Sequence, residues 1–389
     1  MTFKNLITAS ISTSLICLAC SSGGNDENPT EIDTVKPNIS CPSNITVAIP
    51  ATENTVIVTF ETPVATDNIS AVTSQSEGLP SGSQFPLGTT TNSFTAKDAA
   101  GNSATCSFNV IVTQSEPASN LPFFRGSNPT PTGKKWVKIE NLSDEFNDDV
   151  FDSDKWQNTN PNRWIGREPG LFVENTMTEV DGNLRLTPYL LDPVQQIDGK
   201  TFTHAGSNIY SRNSAEVGSY LECRMKANQT FMSSTFWVIN TSGEGTGCDR
   251  RTTELDIVEC VGQVTTSANF AKNFDESMHS NTHSRNVSCP AETPEGSIGN
   301  NTPTPGKVWA DYNVYAAWWK SPEEIDFFLN GEKVYTVNPK APFSLPMHLR
   351  LVVETYTWNA PPADGGMTGS FEDRTTYYDW VRVWKLEDQ

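Results

Sequence analysis

Glu254, Asp256 and Glu259 put three carboxylates into the six-residue stretch ELDIVE, and nothing adjacent in the chain supplies counter-charge on that scale. Carboxylates held close together can divide labour, one kept protonated as a general acid while another stays charged as a base or nucleophile. Spacing decides whether they can meet. On a helix, positions i, i+2 and i+5 scatter around the barrel. On a strand, Glu254 and Asp256 share one face while Leu255 and Ile257 take the other, and strict alternation turns Glu259 away. The third acid joins the first two only if the strand carries one extra residue, a β-bulge, which is a device found beside active sites. The competing reading is a solvated strand edge with scattered surface acids.

The neighbouring sequence supplies strands rather than helices. STFWVI (Ser233 to Ile239), VYAAWWK and IDFFLNGEKVYTV are short aromatic and β-branched runs punctuated by turn residues. Helix-length periodicity is hard to find in the last two thirds of the chain. An all-β sandwich is expected, with a curved sheet whose groove is crossed by the row of acids. The chain has 389 residues, room for two domains or more, and a formal net charge of −19. That charge argues against nucleic acid and anionic membrane surfaces as partners, while leaving room for a locally basic pocket.

The first residues read as an export signal: a lysine, a short apolar stretch, then Ala19-Cys20 followed by Ser, Gly and acids. They resemble a bacterial lipoprotein signal over residues 1–19, which implies lipidation of Cys20, a tether over 20–32 and a place on the outer membrane or cell surface. Cys17 departs from the Leu usual there, so plain secretion stays open. Export permits disulfides. Cys41 and Cys106 frame one domain; Cys223, Cys248, Cys260 and Cys289 lie in another and allow three pairings. Cys248 and Cys289 sit in polar, loop-like stretches, so they are expected to form a loop staple. No C-x-x-C pair suggests zinc.

From Asp33 to residue 114, alternating runs such as Ile45, Val47, Ile49 and Val56, Val58, Phe60 lie between Pro-, Gly- and Asx-rich turns. A Cys41–Cys106 bridge makes an immunoglobulin-like sandwich the expectation. The CP-x-x-I-x-V opening, the P-x-A-x-DN middle and the FP-x-GTT, D-x-x-GN-x-x-x-C-x-F-x-V ending closely resemble the hyalin repeat, a module associated with adhesion or spacing. It offers no clustered acids, His or Cys for chemistry, and a spacer is expected. Residues 115–134, rich in Pro, Ser, Asn and Gly, read as a linker.

Over residues 135–389 the landmarks LSDEFN, WIGREPGLFVENTMTEVDGNLRL, GSYLECRMKA, STFWVI, ELDIVE, VYAAWWKSPEEIDFFLNGEKV and YYDWVRVWK follow in order. This segment resembles glycoside hydrolase family 16, and E-x-D-x-x-E in that setting is highly specific. The resemblance implies a concanavalin-like β-jelly-roll, with the bulged strand crossing its concave face. It also implies a retaining mechanism with Glu254 as nucleophile, Glu259 as acid/base and Asp256 holding Glu254 between them. No catalytic cofactor is implied, and a monomer is expected.

Candidates for the substrate are Trp237 and Trp164 as stacking platforms, with Trp318 and Trp358 behind them; the competing reading for each is core packing. WIGREPGLFVEN resembles the agarase and porphyranase branches and adds Arg167 and Asn175; HSNTH and VETYTWNAPP add His283, Glu354 and Trp358. Arginine forks match sulfate, so Arg163, Arg167, Arg250 and Arg251 bear on whether the galactan is sulfated. Neutral agar and sulfated porphyran stand nearly level, with a slight lean to the agar-type backbone. Carrageenase-like, furcellaran-type and laminarinase activities are the rivals, and a non-catalytic carbohydrate-binding protein is the alternative from another class. The family also implies one structural calcium, here through Glu145, Gly182 and Asp379.

Overall fold

The computed structural model describes residues 33–49, 54–114, 121–125, 128–158, 164–241, 244–291 and 294–389. The signal, Cys17, Cys20, the tether, the first residues of the linker and Arg163 lie outside them. The fold is nearly all β, 52% strand and 4% helix. The chain packs as two compact units, the first closing at Thr113 and the second running from Gln114 to Gln389.

In the first unit, a four-stranded sheet runs in the order Ile45–Ile49, Ser103–Gln114, Gly88–Asp98, Ala71–Glu77, beside the pair Thr55–Val58 and Ser83–Pro86. Alternation places Ile49, Val58, Phe85, Phe94, Phe108, Val110 and Val112 in one core, and Cys41 is bonded to Cys106.

The second unit is two large sheets. One orders Met177–Val180, Asn183–Leu186, Thr376–Asp388, Tyr220–Lys226, Asn313–Ser321, Glu324–Leu329 and Glu332–Val337. The other orders Tyr189–Ile197, Lys200–Ala215, Met347–Val353, Ser233–Ile239, Thr252–Val261, Ser277–Arg285 and Gly296–Pro303. Between them lies the main core, which takes Leu255, Ile257 and Val258 from the acid strand, Phe236 and Val238 from its neighbour, and Tyr315, Ala317 and Trp319 from the opposite sheet. Cys223 and Cys260 are buried here as free thiols, while Cys248 is bonded to Cys289.

The sheet opposite the acid strand is apolar on its other face too. Trp136, Tyr220, Ala316, Trp318, Phe328 and Trp384 form a separate cluster there. Trp318 therefore packs away from the acids, and Trp319 is the partner that points into the core.

Part of the expected linker covers this second face. Phe124 packs on Tyr220 and Phe328 with ring centroids 5.0 and 5.8 Å apart, and Phe123 is buried against Val314 and Trp380. The Phe123 amide donates to the buried Glu222 carboxylate at 3.0 Å, whose other oxygen accepts from Trp384 Nε1 at 2.7 Å. The Arg125 amide donates to the Gly331 carbonyl at 2.9 Å. Gly331 stands at φ +78°, and a Cβ there would meet that amide nitrogen at 2.7 Å, so the close approach requires glycine. Phe123 to Arg125 thus belong to the second unit's packing, and only part of 115–134 can act as a linker.

Candidate active site

The acid strand Thr252–Val261 carries the extra residue that the spacing demanded. Against Ser233–Ile239 the register runs Thr235↔Glu259, Phe236↔Val258 and then Trp237↔Asp256, skipping Ile257. Against Ser277–Arg285 it runs Asp256↔Asn281 and then Glu259↔His279. The Ser280 hydroxyl donates to the Ile257 carbonyl at 2.7 Å, tying the bulge to the next strand. Leu255, Ile257 and Val258 thereby enter the core while Glu254, Asp256 and Glu259 open into one cleft of about 520 Å³.

Each acid has its own partner. Arg285 Nη2 donates to Glu254 Oε2 at 2.5 Å. His283 Nε2 lies 3.1 Å from Asp256 Oδ2 and 3.9 Å from Glu254 Oε1, while its Nδ1 is 2.5 Å from Ser297 Oγ. Burial lowers the His283 pKa, and a neutral ring protonated at Nε2 satisfies both contacts by donating to Asp256 and accepting from Ser297. The Tyr356 hydroxyl donates to Glu259 Oε1 at 2.8 Å. Glu354 is a fourth cleft carboxyl, 6% exposed, with Arg167 Nε 3.5 Å from its Oε2.

Burial sets the electrostatics. It pushes Glu259 up to about 8, with Asp256 and Glu254 adding to the rise and the Tyr356 hydrogen bond opposing it. Glu354 is likewise raised by burial to about 8, with Arg167 opposing. Asp256 is raised well above the carboxylate range by burial and then by Glu254. Glu259 and Glu354 therefore favour their neutral forms near pH 7, and Asp256 is shifted in the same direction, so the cleft is less negative than its composition suggests.

Trp237 and Trp164 meet edge to face at 6.2 Å in the cleft, which Trp358 also lines. Arg350 sits 5.7 Å from the Trp237 ring and 4.1 Å from Tyr210, and donates to Asn208 Oδ1 at 3.0 Å, bracing the platform.

Several expected residues stand elsewhere. Asn175 is exposed on a short 3-10 turn, accepts from the Tyr189 hydroxyl at 2.7 Å and does not line the cleft. Arg251 is fully buried, bonded to Ser344 Oγ at 3.0 Å and to the Pro342 carbonyl, and acts in packing. The calcium trio does not fit a cation. Glu145 is held by Arg382 Nε and Nη2 at 3.0 and 2.7 Å and by Lys138, and Asp379 by Arg224 at 2.7 Å. Those guanidinium groups supply the positive charge a calcium would bring, and Gly182 adds only a turn at φ +67°.

Sequence reasoning missed Tyr356, Arg285, Arg350 and Asn281. For three of them the signal was available: the alternation from His279 to His283 passes through Asn281 and continues to Arg285, and Glu354, Tyr356 and Trp358 share a period of two.

Residues 136–386 match the family described as Beta-porphyranase A-D, GH16 domain. The chain belongs to this family. Residues 32–112 match the HYR domain. The hydrolase is 48% identical to Beta-porphyranase B of Zobellia galactanivorans over 280 residues, 72% of this chain and 95% of the relative. The crystal structure of porphyranase B from the same organism superposes with a TM-score of 0.67 at 49% identity, covering 69% of this chain and all of that one. A β-porphyranase from the human gut bacterium Bacteroides plebeius gives 0.58 at 31% identity, covering 69% and 96%. This GH16 hydrolase is a glycosidase, and glycosidases of its family need no catalytic cofactor.

Proposed function

We propose that the chain is an endo-acting, retaining hydrolase of β-linkages in a sulfated red-algal galactan of the porphyran type. Glu254 attacks the anomeric carbon, Glu259 protonates the leaving oxygen and later deprotonates water, and Asp256 with His283 holds Glu254 in place. The observation that carries this reading is the bulged strand, whose three acids share one cleft flanked by Arg167 and Arg285. Both arginines are exposed, their side chains 42% and 47% accessible, and both are paired in this structure with carboxylates that an incoming sulfate ester would replace. The names of similar relatives support porphyran over neutral agar.

Reducing-end release from porphyran, desulfated porphyran, agarose, κ-carrageenan and laminarin tests the substrate. Porphyran is expected to be cleaved fastest. Replacing Arg167 by Ala should lower kcat/KM on porphyran by roughly 10- to 100-fold, the size of one charge-assisted contact, and on the desulfated polymer much less. Preference for laminarin or carrageenan, or an equal loss on both porphyran forms, would overturn the assignment. A carbohydrate-binding protein would release nothing from any of the five.

The bonded cysteines fit an exported protein. In this proposal Cys20 anchors a monomeric enzyme at the cell surface, with the HYR module as spacer. Intact-mass measurement of the mature protein should show a diacyl or triacyl mass on a chain starting at Cys20; an unmodified N-terminus would refute the anchor.

A further inference from the structure

The geometry points to Tyr356 as a positioning residue that fixes which oxygen of Glu259 carries the acid's proton, an inference that rests on Glu259 being the acid/base. Tyr356 follows the strand Met347–Val353 and is 4% exposed. Its ring stacks on Trp358 at 5.0 Å and 20°, and the Arg167 guanidinium lies 5.5 Å from its centroid. Among the described residues, the one acceptor of its hydroxyl proton is Glu259 Oε1, at 2.8 Å.

A buried phenol that turned away would leave its proton unpaired where no water replaces the lost bond. The hydroxyl therefore keeps donating whether Glu259 is charged or neutral. Burial and the neighbouring carboxyls hold its own ionisation well above the ordinary phenol range, so the donor is never lost. A carboxylic acid whose Oε1 already accepts that bond places its proton on Oε2.

The consequence for hydrolysis is directional. As Glu254 bonds to the anomeric carbon, the glycosidic C–O bond breaks, its electron pair stays on the leaving oxygen, and the Oε2 proton transfers to that oxygen. In the second step water bonds to the anomeric carbon, the ester to Glu254 breaks, and one water proton returns to Oε2. Oε1 stays with Tyr356 throughout.

The other charged and titratable groups around Glu259 act through space. They are Glu254 and Asp256 on its own strand, His283 and His279 on the next, Glu354 and Arg167 beside Tyr356, and Arg285 and Arg350 farther along the cleft. His279 is turned to stack on Phe274 at 3.7 Å. Thr235, paired across from Glu259 on the remaining side, is uncharged.

The test uses the full chain with Tyr356→Phe, which keeps the stacked ring. On porphyran, kcat should fall roughly 10- to 100-fold, part of what general-acid catalysis contributes, with KM little changed. The basic limb of the kcat/KM profile should move to higher pH, because the lost donor favoured the carboxylate. An aryl oligosaccharide with a good leaving group should lose much less in its first step. Difluorotyrosine at position 356, a stronger donor of nearly the same shape, should move the limb to lower pH, and keeps the question open to decision if the Phe variant does not fold. A basic limb unmoved by either change, or equal losses on both substrates, would overturn the role. Glu259→Gln run in parallel separates the two failures: if it still cleaves porphyran, the acid/base assignment falls, and if it is inactive while the limb stays put, only the role of Tyr356 falls.

Discussion

Replacing Glu254 by Gln is expected to abolish turnover of every substrate, by four orders of magnitude or more, roughly the scale seen when a nucleophile that works in concert with its neighbours is removed. A neutral amide neither attacks the anomeric carbon nor stabilises its developing positive charge. Glu259→Gln should cost about 10²- to 10⁴-fold on the polysaccharide, whose leaving group needs a proton. The two should differ toward added azide. With Glu259 lost, an aryl glycoside still forms the intermediate on Glu254 and azide speeds its breakdown; with Glu254→Gly, azide attacks directly and gives inverted product. Steady-state kinetics and product anomers check both. The pH dependence follows from the same carboxyl: Glu259 is active as an acid only while protonated, so wild-type kcat/KM should fall as pH rises through about 8.

Neither replacement should unfold the protein. Folding raises Glu259 from its ordinary 4.5 to about 8, so the native state binds its proton more tightly than the unfolded chain. Ionisation therefore opposes folding, not at all below the unfolded value, increasingly between the two values, and fully above the folded one. The Gln variant escapes this opposition, so its Tm relative to wild type should rise across that window. A melting temperature well below wild type would mean that activity is lost through the fold.

The second large effect is on stability. A chain beginning at Gln114 should fold and hydrolyse like the full-length protein, whereas one beginning at Lys134 should not. The shorter chain lacks Phe123 and Phe124, and truncating even one buried phenylalanine costs about 3–5 kcal/mol. A loss of about 3 kcal/mol corresponds to roughly 6–12 °C in Tm for a domain of this size. It also uncovers the face around Trp136, Tyr220 and Trp384, an apolar patch of the kind that drives association. Thermal melts and light scattering of the two chains decide it; equal melting and monodispersity would show that the segment is only a linker.

The acid strand was legible because chemistry and pleat conflicted: Glu259 could reach the cleft only through a bulge, and Leu255, Ile257 and Val258 had to find a core. The loop staple was legible from where Cys248 and Cys289 fall. The cover was not. Phe123 to Arg125 sits among breakers, which read as linker, yet VYAAWWK is apolar on both faces, and a strand buried on both sides demands a layer on each. Tyr356 was readable from its spacing of two with Glu354 and Trp358, although it lies past the end of its strand, where no pairing partner marks its direction. The calcium trio failed because carrying residues over by position ignores what faces them: Arg382 on the same strand as Asp379 reaches Glu145, and Arg224 from the next strand takes Asp379 itself.

Whether Glu254 is the nucleophile and Glu259 the acid is tested most directly by trapping the covalent intermediate. A 2-fluoro oligosaccharide of the galactan series with an activated leaving group should inactivate the enzyme with a mass increase equal to the inhibitor less its leaving group, and peptide fragmentation should place that mass on Glu254. An adduct on Glu259 or Glu354, or no adduct while the polysaccharide is cleaved with inversion at the anomeric carbon, would contradict it.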